Sequence, residues 1–172
     1  MQNYKGFTLI ELMVTISVAG IIMAIAVPEM KTMRSNSVMS SVANDLASDL
    51  KKARNEAILA RRNQTLAAID ATVSTNIWGN KGWQLSQVVN SVTKVAFQNK
   101  TVPKGVVVNT TSSSFIFVAA TGMVQTTDGN PANVTFKVCD SQSSTENGYD
   151  VLINQFGRVY VKRHANLTVC NA

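Results

Sequence analysis

Histidine occurs once, at position 164, and cysteine only at 139 and 170. With no C-x-x-C and no H-E-x-x-H, the ligand spacings of zinc and redox sites are missing. G-x-S-x-G, G-x-G-x-x-G and G-x-x-x-x-G-K-[ST] are also absent, so the sequence offers neither a nucleophile elbow nor a phosphate cradle. His164 has no acid and serine set around it and reads as an exposed histidine in a basic tail. The methionines at 13, 23, 30, 33 and 39 fit anchoring and packing better than metal ligation, which needs converging thioethers. No metal, cofactor or catalytic residue is expected, and no enzyme. Charged residues make up only 15% of the chain, with a formal net charge of +6. That surplus permits weak attraction to phosphates or anionic lipids, and a mildly basic soluble surface is the plainer reading.

What is present is unevenly spread. From Phe7 to Val27 the chain is apolar except for a few small polar residues and one ionisable group, Glu11. As a helix this run spans about 30 Å, the thickness of a bilayer's hydrocarbon layer. A carboxylate there costs a few kcal/mol, so its presence marks a function. A secretory signal is the competing reading, with Ala24-Ile25-Ala26 as its cleavage site. Against it, Lys5 and Gly6 precede the apolar run and Glu11 lies inside it. A cut between Gly6 and Phe7 would create an ammonium four residues before Glu11. Amine and carboxylate could then neutralise each other between neighbouring subunits, while Ala19, Gly20 and Ala24 let helices approach closely. Pro28 removes a backbone donor and disfavours helix at Val27, so a kink or local melting is expected there.

Beyond Pro28, Val38, Val42, Leu46, Leu50, Ala53, Ala57 and Ala60 step by three or four, the period of one helix face. Ser35, Asn36 and Ser37 interrupt the pattern and could cap a restart. After Gln64 the period shifts toward two. Strands are expected at 65–69, 82–87, 94–98, 106–109, 114–118, 134–139, 149–153 and 159–163. Turn-rich segments separate them: Trp78-Gly79-Asn80-Lys81, Pro103-Lys104-Gly105, Asp128-Gly129-Asn130-Pro131 and Asn154-Gln155-Phe156-Gly157. The expected fold is α+β, a long helix packed on an antiparallel sheet or small sandwich. The divisions are a leader at 1–6, a membrane and assembly helix at 7–28, its amphipathic half at 29–63, and a β-rich head at 64–172. Cys139 and Cys170 are better used as one disulfide than as two buried thiols. The bond would close a loop of about 30 residues and contribute roughly 3 kcal/mol in an oxidising compartment.

The residues Gly6-Phe7-Thr8-Leu9-Ile10-Glu11-Leu12 closely resemble the processing motif of type IV prepilins and type II secretion pseudopilins. The resemblance implies cleavage after Gly6 by a prepilin peptidase, N-methylation of Phe7, and assembly through the helix bearing Glu11 and Pro28. The later segments Ala43-Asn44-Asp45-Leu46, Ala53-Arg54-Asn55-Glu56-Ala57, Gly82-Trp83, Phe117 near Thr121-Gly122, Thr135 to Cys139 and Gly157-Arg158-Val159 are similar to the GspH/FimT branch of minor pilins. Paired cysteines in the last third are similar to one member of that branch. The branch implies a low-abundance subunit that primes assembly or sits at the pilus tip, with other minor pilins and the major pilin as partners. It implies the inner membrane before assembly, with the head in the periplasm, and then the cell-surface pilus. Two alternatives stay open: a minor pseudopilin of type II secretion, and a DNA-binding pilin for natural transformation. Arg158, Tyr160, Lys162 and Arg163 motivate the DNA reading, with Arg158, Tyr160 and Lys162 expected on one strand face. DNA-capturing members carry Gly-Arg-x-Arg; here Gly157 and Arg158 match, but Tyr160 replaces the second arginine. Charged protection of a strand edge is the other explanation of these cations.

Overall fold

The computed structural model describes residues 7–69, 78, 81–99, 102–110, 112–140 and 147–165. The elements are α1 (Leu9–Ala60), β1 (Gln64–Ala68), β2 (Trp83–Val89), β3 (Val92–Asn99), β4 (Val106–Thr110), β5 (Ser114–Phe117), β6 (Val124–Gln125), β7 (Val134–Asp140), β8 (Asn147–Ile153) and β9 (Val159–Ala165). The chain divides into a unit ending at Ser35 and a unit beginning at Asn36.

Within the first unit the helix carries its apolar side chains uncovered, from Phe7 and Leu9 through Met33. It is long and apolar enough to cross a membrane. Its hydroxyls are satisfied along the helix itself: Thr15 Oγ1 donates to the Leu12 carbonyl at 2.8 Å, and Ser17 Oγ to that of Met13 at 2.7 Å. That pairing is what lipid demands of a hydroxyl. α1 is helical without a break through Pro28 and through Ser35, Asn36 and Ser37, so neither local melting nor a capped restart occurs. Proline removes one donor, and the surrounding i to i−4 bonds suffice to keep the helix.

In the second unit the stripe of α1 forms one side of the core. Val42, Leu46, Leu50, Ala53 and Ala57 are buried as their spacing predicts, joined by Met39, Ala43 and Ala47. Ala60 is exposed, because the helix ends there and Arg61 turns left-handed at φ 50°. The Ala57 carbonyl, left unpaired in the last turn, accepts from the Ala120 N–H at 3.4 Å, and Asn63 Oδ1 accepts from the Ala119 N–H at 2.8 Å.

Two antiparallel sheets complete the unit, a five-stranded one in the order β3-β2-β1-β5-β6 and a four-stranded one in the order β4-β7-β8-β9. The eight expected strands all form, with ends shifted by one or two residues, and the short β6 is an addition. Period-two alternation buries Val134, Phe136 and Val138 of β7 and Trp83 and Leu85 of β2. Trp78, expected in a turn-rich connection, is a core residue. Its ring meets Phe115 and Phe136 at centroid distances of 6.0 and 4.9 Å, and its Nε1–H donates to the Ser112 carbonyl at 3.2 Å. The burial of a large ring with its N–H paired outweighs the local turn signals.

Candidate assembly segment and basic surface

Gly6 lies outside the described residues, so the expected cleavage point is visible only from its Phe7 side. Phe7 is 80% exposed. Thr8 caps α1: its Oγ1 accepts from the Glu11 N–H at 3.3 Å, and its carbonyl accepts from the Leu12 N–H at 3.2 Å. Thr8-x-x-Glu11 therefore has the residue spacing of a capping box, a signal that the sequence itself carries. Glu11 sits in the first turn, where the helix dipole favours a negative charge. Thr8, Ile10, Glu11, Val14 and Thr15 outline a shallow groove on this exposed surface. Pro28 lies inside the same helix, 17 residues after Glu11.

The basic residues do not gather into one patch. β9 is the outer strand of its sheet, and opposite β8 its register pairs Val161 with Val151, Lys162 with Asp150 and Tyr160 with Leu152. Tyr160 and Lys162 thus share the face opposite to buried Val151, and Arg163 alternates to the other face. Arg158 stands before the strand, in a turn where the Asn154 N–H donates to the Arg158 carbonyl at 3.1 Å and Asn154 Oδ1 accepts from the Arg158 N–H at 2.9 Å. The expected common strand face is therefore reduced to Tyr160 and Lys162.

Two groups the sequence did not single out organise this region. Asp150 is only 5% exposed; its Oδ2 lies 2.9 Å from His164 Nδ1 and 3.9 Å from Lys162 Nζ. His164, expected in an exposed tail, is a half-buried partner of that acid. The second is Arg54 of α1, whose Nε–H donates to the Gly122 carbonyl at 3.4 Å. A Cβ on Gly157, where φ is +75°, would meet the same carbonyl oxygen at 2.4 Å and Arg54 Cδ at 2.7 Å. So Arg54, Thr121-Gly122 and Gly157-Arg158, scattered in sequence, converge in space. Cys139 is buried on β7, and Cys170 lies outside the described residues.

An uncovered apolar helix, capped by Thr8 with one acid in its first turn and continuing into a helix packed on antiparallel sheets, defines a pilin-like subunit. A family model described as the type II transport protein GspH matches residues 42–157, and one described as the prokaryotic N-terminal methylation motif matches residues 1–27. The chain belongs to the GspH family of type IV pilin-like proteins. The type IV major alpha-pilin of Moraxella bovis is 38% identical over 77 residues, 45% of this chain and 48% of that pilin. The chain therefore spans about half the length of that curated relative. Among solved structures, the type IV minor pilin FimU of Pseudomonas aeruginosa is similar in two crystal forms. One has a TM-score of 0.58 at 22% identity, covering 72% of this chain and 87% of that chain. The other has a TM-score of 0.52 at 25% identity, covering 72% and 91%. The minor pseudopilin EpsH of the Vibrio cholerae type 2 secretion system has a TM-score of 0.51 at 13% identity, covering 74% and 96%.

Proposed function

We propose that the chain is a minor type IV pilin, a structural subunit without catalytic activity that primes pilus assembly or forms part of the tip complex. The observation that carries this reading is Glu11, the only ionisable group in an otherwise apolar, uncovered helix segment with a capped start. A prepilin peptidase would cut between Gly6 and Phe7 and the Phe7 amine would be methylated. Before assembly the helix would cross the inner membrane once with the head in the periplasm. Other minor pilins and the major pilin would be its partners in the fibre. In that oxidising compartment Cys139 and Cys170 would form the head's disulfide.

Replacing Glu11 by alanine removes the charge while preserving the apolar span. The Glu11→Ala chain is expected to stay in the membrane fraction at wild-type level and to be lost from sheared surface fibres, with fewer pili and reduced twitching. Wild-type incorporation of this variant would refute the reading. The type II secretion alternative is favoured by the family description and by the fold shared with EpsH. Deletion distinguishes the two, since loss of secretion with normal piliation assigns the chain to a pseudopilus. The divergence of Arg158, Lys162 and Arg163 gives the DNA-capture reading no such support.

A further inference from the structure

The loop between β5 and β6, the turn between β8 and β9 and the Arg54 side chain border a depression of about 710 Å³. Arg54, Thr121, Met123, Asn154, Phe156 and Arg158 line it. Its floor is held by close packing: the bare Cα of Gly157 rests against the Gly122 carbonyl and the Arg54 stem. Both arginines bring guanidinium groups, and among the described residues neither has a carboxylate partner. Beside them Phe156 is 55% exposed, although the head has an apolar core that holds other phenyl rings. Two unneutralised planar cations next to an uncovered aromatic ring suit a ligand that is anionic at one point and apolar beside it.

We propose that this depression receives a carboxylate-bearing segment of a neighbouring subunit, its acid between Arg54 and Arg158 and an adjacent apolar side chain against Phe156 and Met123. The choice of a neighbouring subunit rests on the reading of the chain as a filament protein; the choice of ligand chemistry does not. A nucleic acid would need a track of cations along its backbone. Here Arg54 and Arg158 line one depression that Lys162 and Arg163 do not border, Lys162 lies 3.9 Å from Asp150, and Arg163 alternates away from Lys162. A carboxylate suits this site, since one guanidinium can grip it with two parallel hydrogen bonds and the second adds like attraction.

The test titrates the full chain in detergent micelles with the peptide acetyl-Leu-Glu-Leu-amide while following arginine Nε–Hε NMR signals. The Arg54 and Arg158 signals are expected to shift saturably. The peptide with glutamine in place of glutamate should bind about tenfold more weakly, and Arg158→Gln should weaken the acidic peptide by about the same factor. Arg158 is exposed, so its variant should keep the fold, checked by unchanged indole signals of Trp78 and Trp83. No saturable shift, equal binding of the two peptides, or unaltered binding by Arg158→Gln overturns the proposal. So does a thymidine hexanucleotide that moves the two signals at lower concentration than the peptide. Since piliation plays no part in this measurement, its failure would leave the filament reading standing.

Discussion

At residue 157 the backbone turns with φ +75° directly under the Gly122 carbonyl, and Arg54 lies alongside. Two independent constraints therefore act on one position. A left-handed backbone disfavours any Cβ by about 1–2 kcal/mol, and this Cβ would also collide with a backbone oxygen that a single rotamer change cannot move. Gly157→Ala is expected to destabilise the head by about 3 kcal/mol or more, lowering its Tm by roughly 10 °C in thermal denaturation. Gly129, also left-handed at φ +84° but with open space around its Cα, should tolerate alanine with a loss of only about 1 kcal/mol. The contrast shows why this site was not legible in the sequence. A glycine before an arginine could be seen, but its meaning lies in a carbonyl 35 positions earlier and an arginine 68 positions from that carbonyl's residue. Asp150 was hidden for a similar reason, since its burial and its pairing with His164 depend on strand register.

Elements were easier to read than contacts. The helix stripe follows from apolar spacing alone, and the strands follow from alternation, because both periods are properties of the local backbone. What local pattern missed was what tertiary packing decides. Ala43 and Ala47 widen the buried stripe because the helix is covered on a broad face, and β6 is too short to alternate. Trp78 carries a local turn signal because Gly79 and Asn80 follow it. The β2–β3 hairpin outruns its local pattern: alternation predicts strands at 82–87 and 94–98, whereas pairing runs to Val89 opposite Val92. Asn90 and Ser91 close it with φ 51° and 63°, a two-residue turn of the type that suits strand twist and that normally recruits glycine at its second position. Ser91→Gly should relieve that strain and raise stability by about 0.5 kcal/mol, whereas Ser91→Val, β-branched at positive φ, should lower it by about 1 kcal/mol or more. Urea unfolding of the two variants side by side checks both signs.

At the scale of the whole molecule, the two units make opposite demands on solvent. From Asn36 onward the apolar groups gather around Leu46, Phe117 and Phe136, all fully buried, whereas before Ser35 the apolar side chains remain uncovered. A chain lacking residues 1–28 is expected in the soluble fraction after cell lysis, and the full chain in the membrane fraction. Recovery of the shortened chain only with membranes would mean that the later unit has an apolar attachment of its own. The apolar run from Phe7 to Val27 is legible from composition, whereas the boundary at Ser35 falls beyond the limit that composition marks. The unbroken helix carries a consequence for transport. A rod whose first seven turns expose methyl groups on every side has no tolerable passage through water, so on the proposed filament reading entry into a fibre would be a direct hand-over. Contact with acyl chains would then be replaced step by step by contact with sister helices, and any machine lifting the subunit would have to keep one oily surround in place until the next had closed.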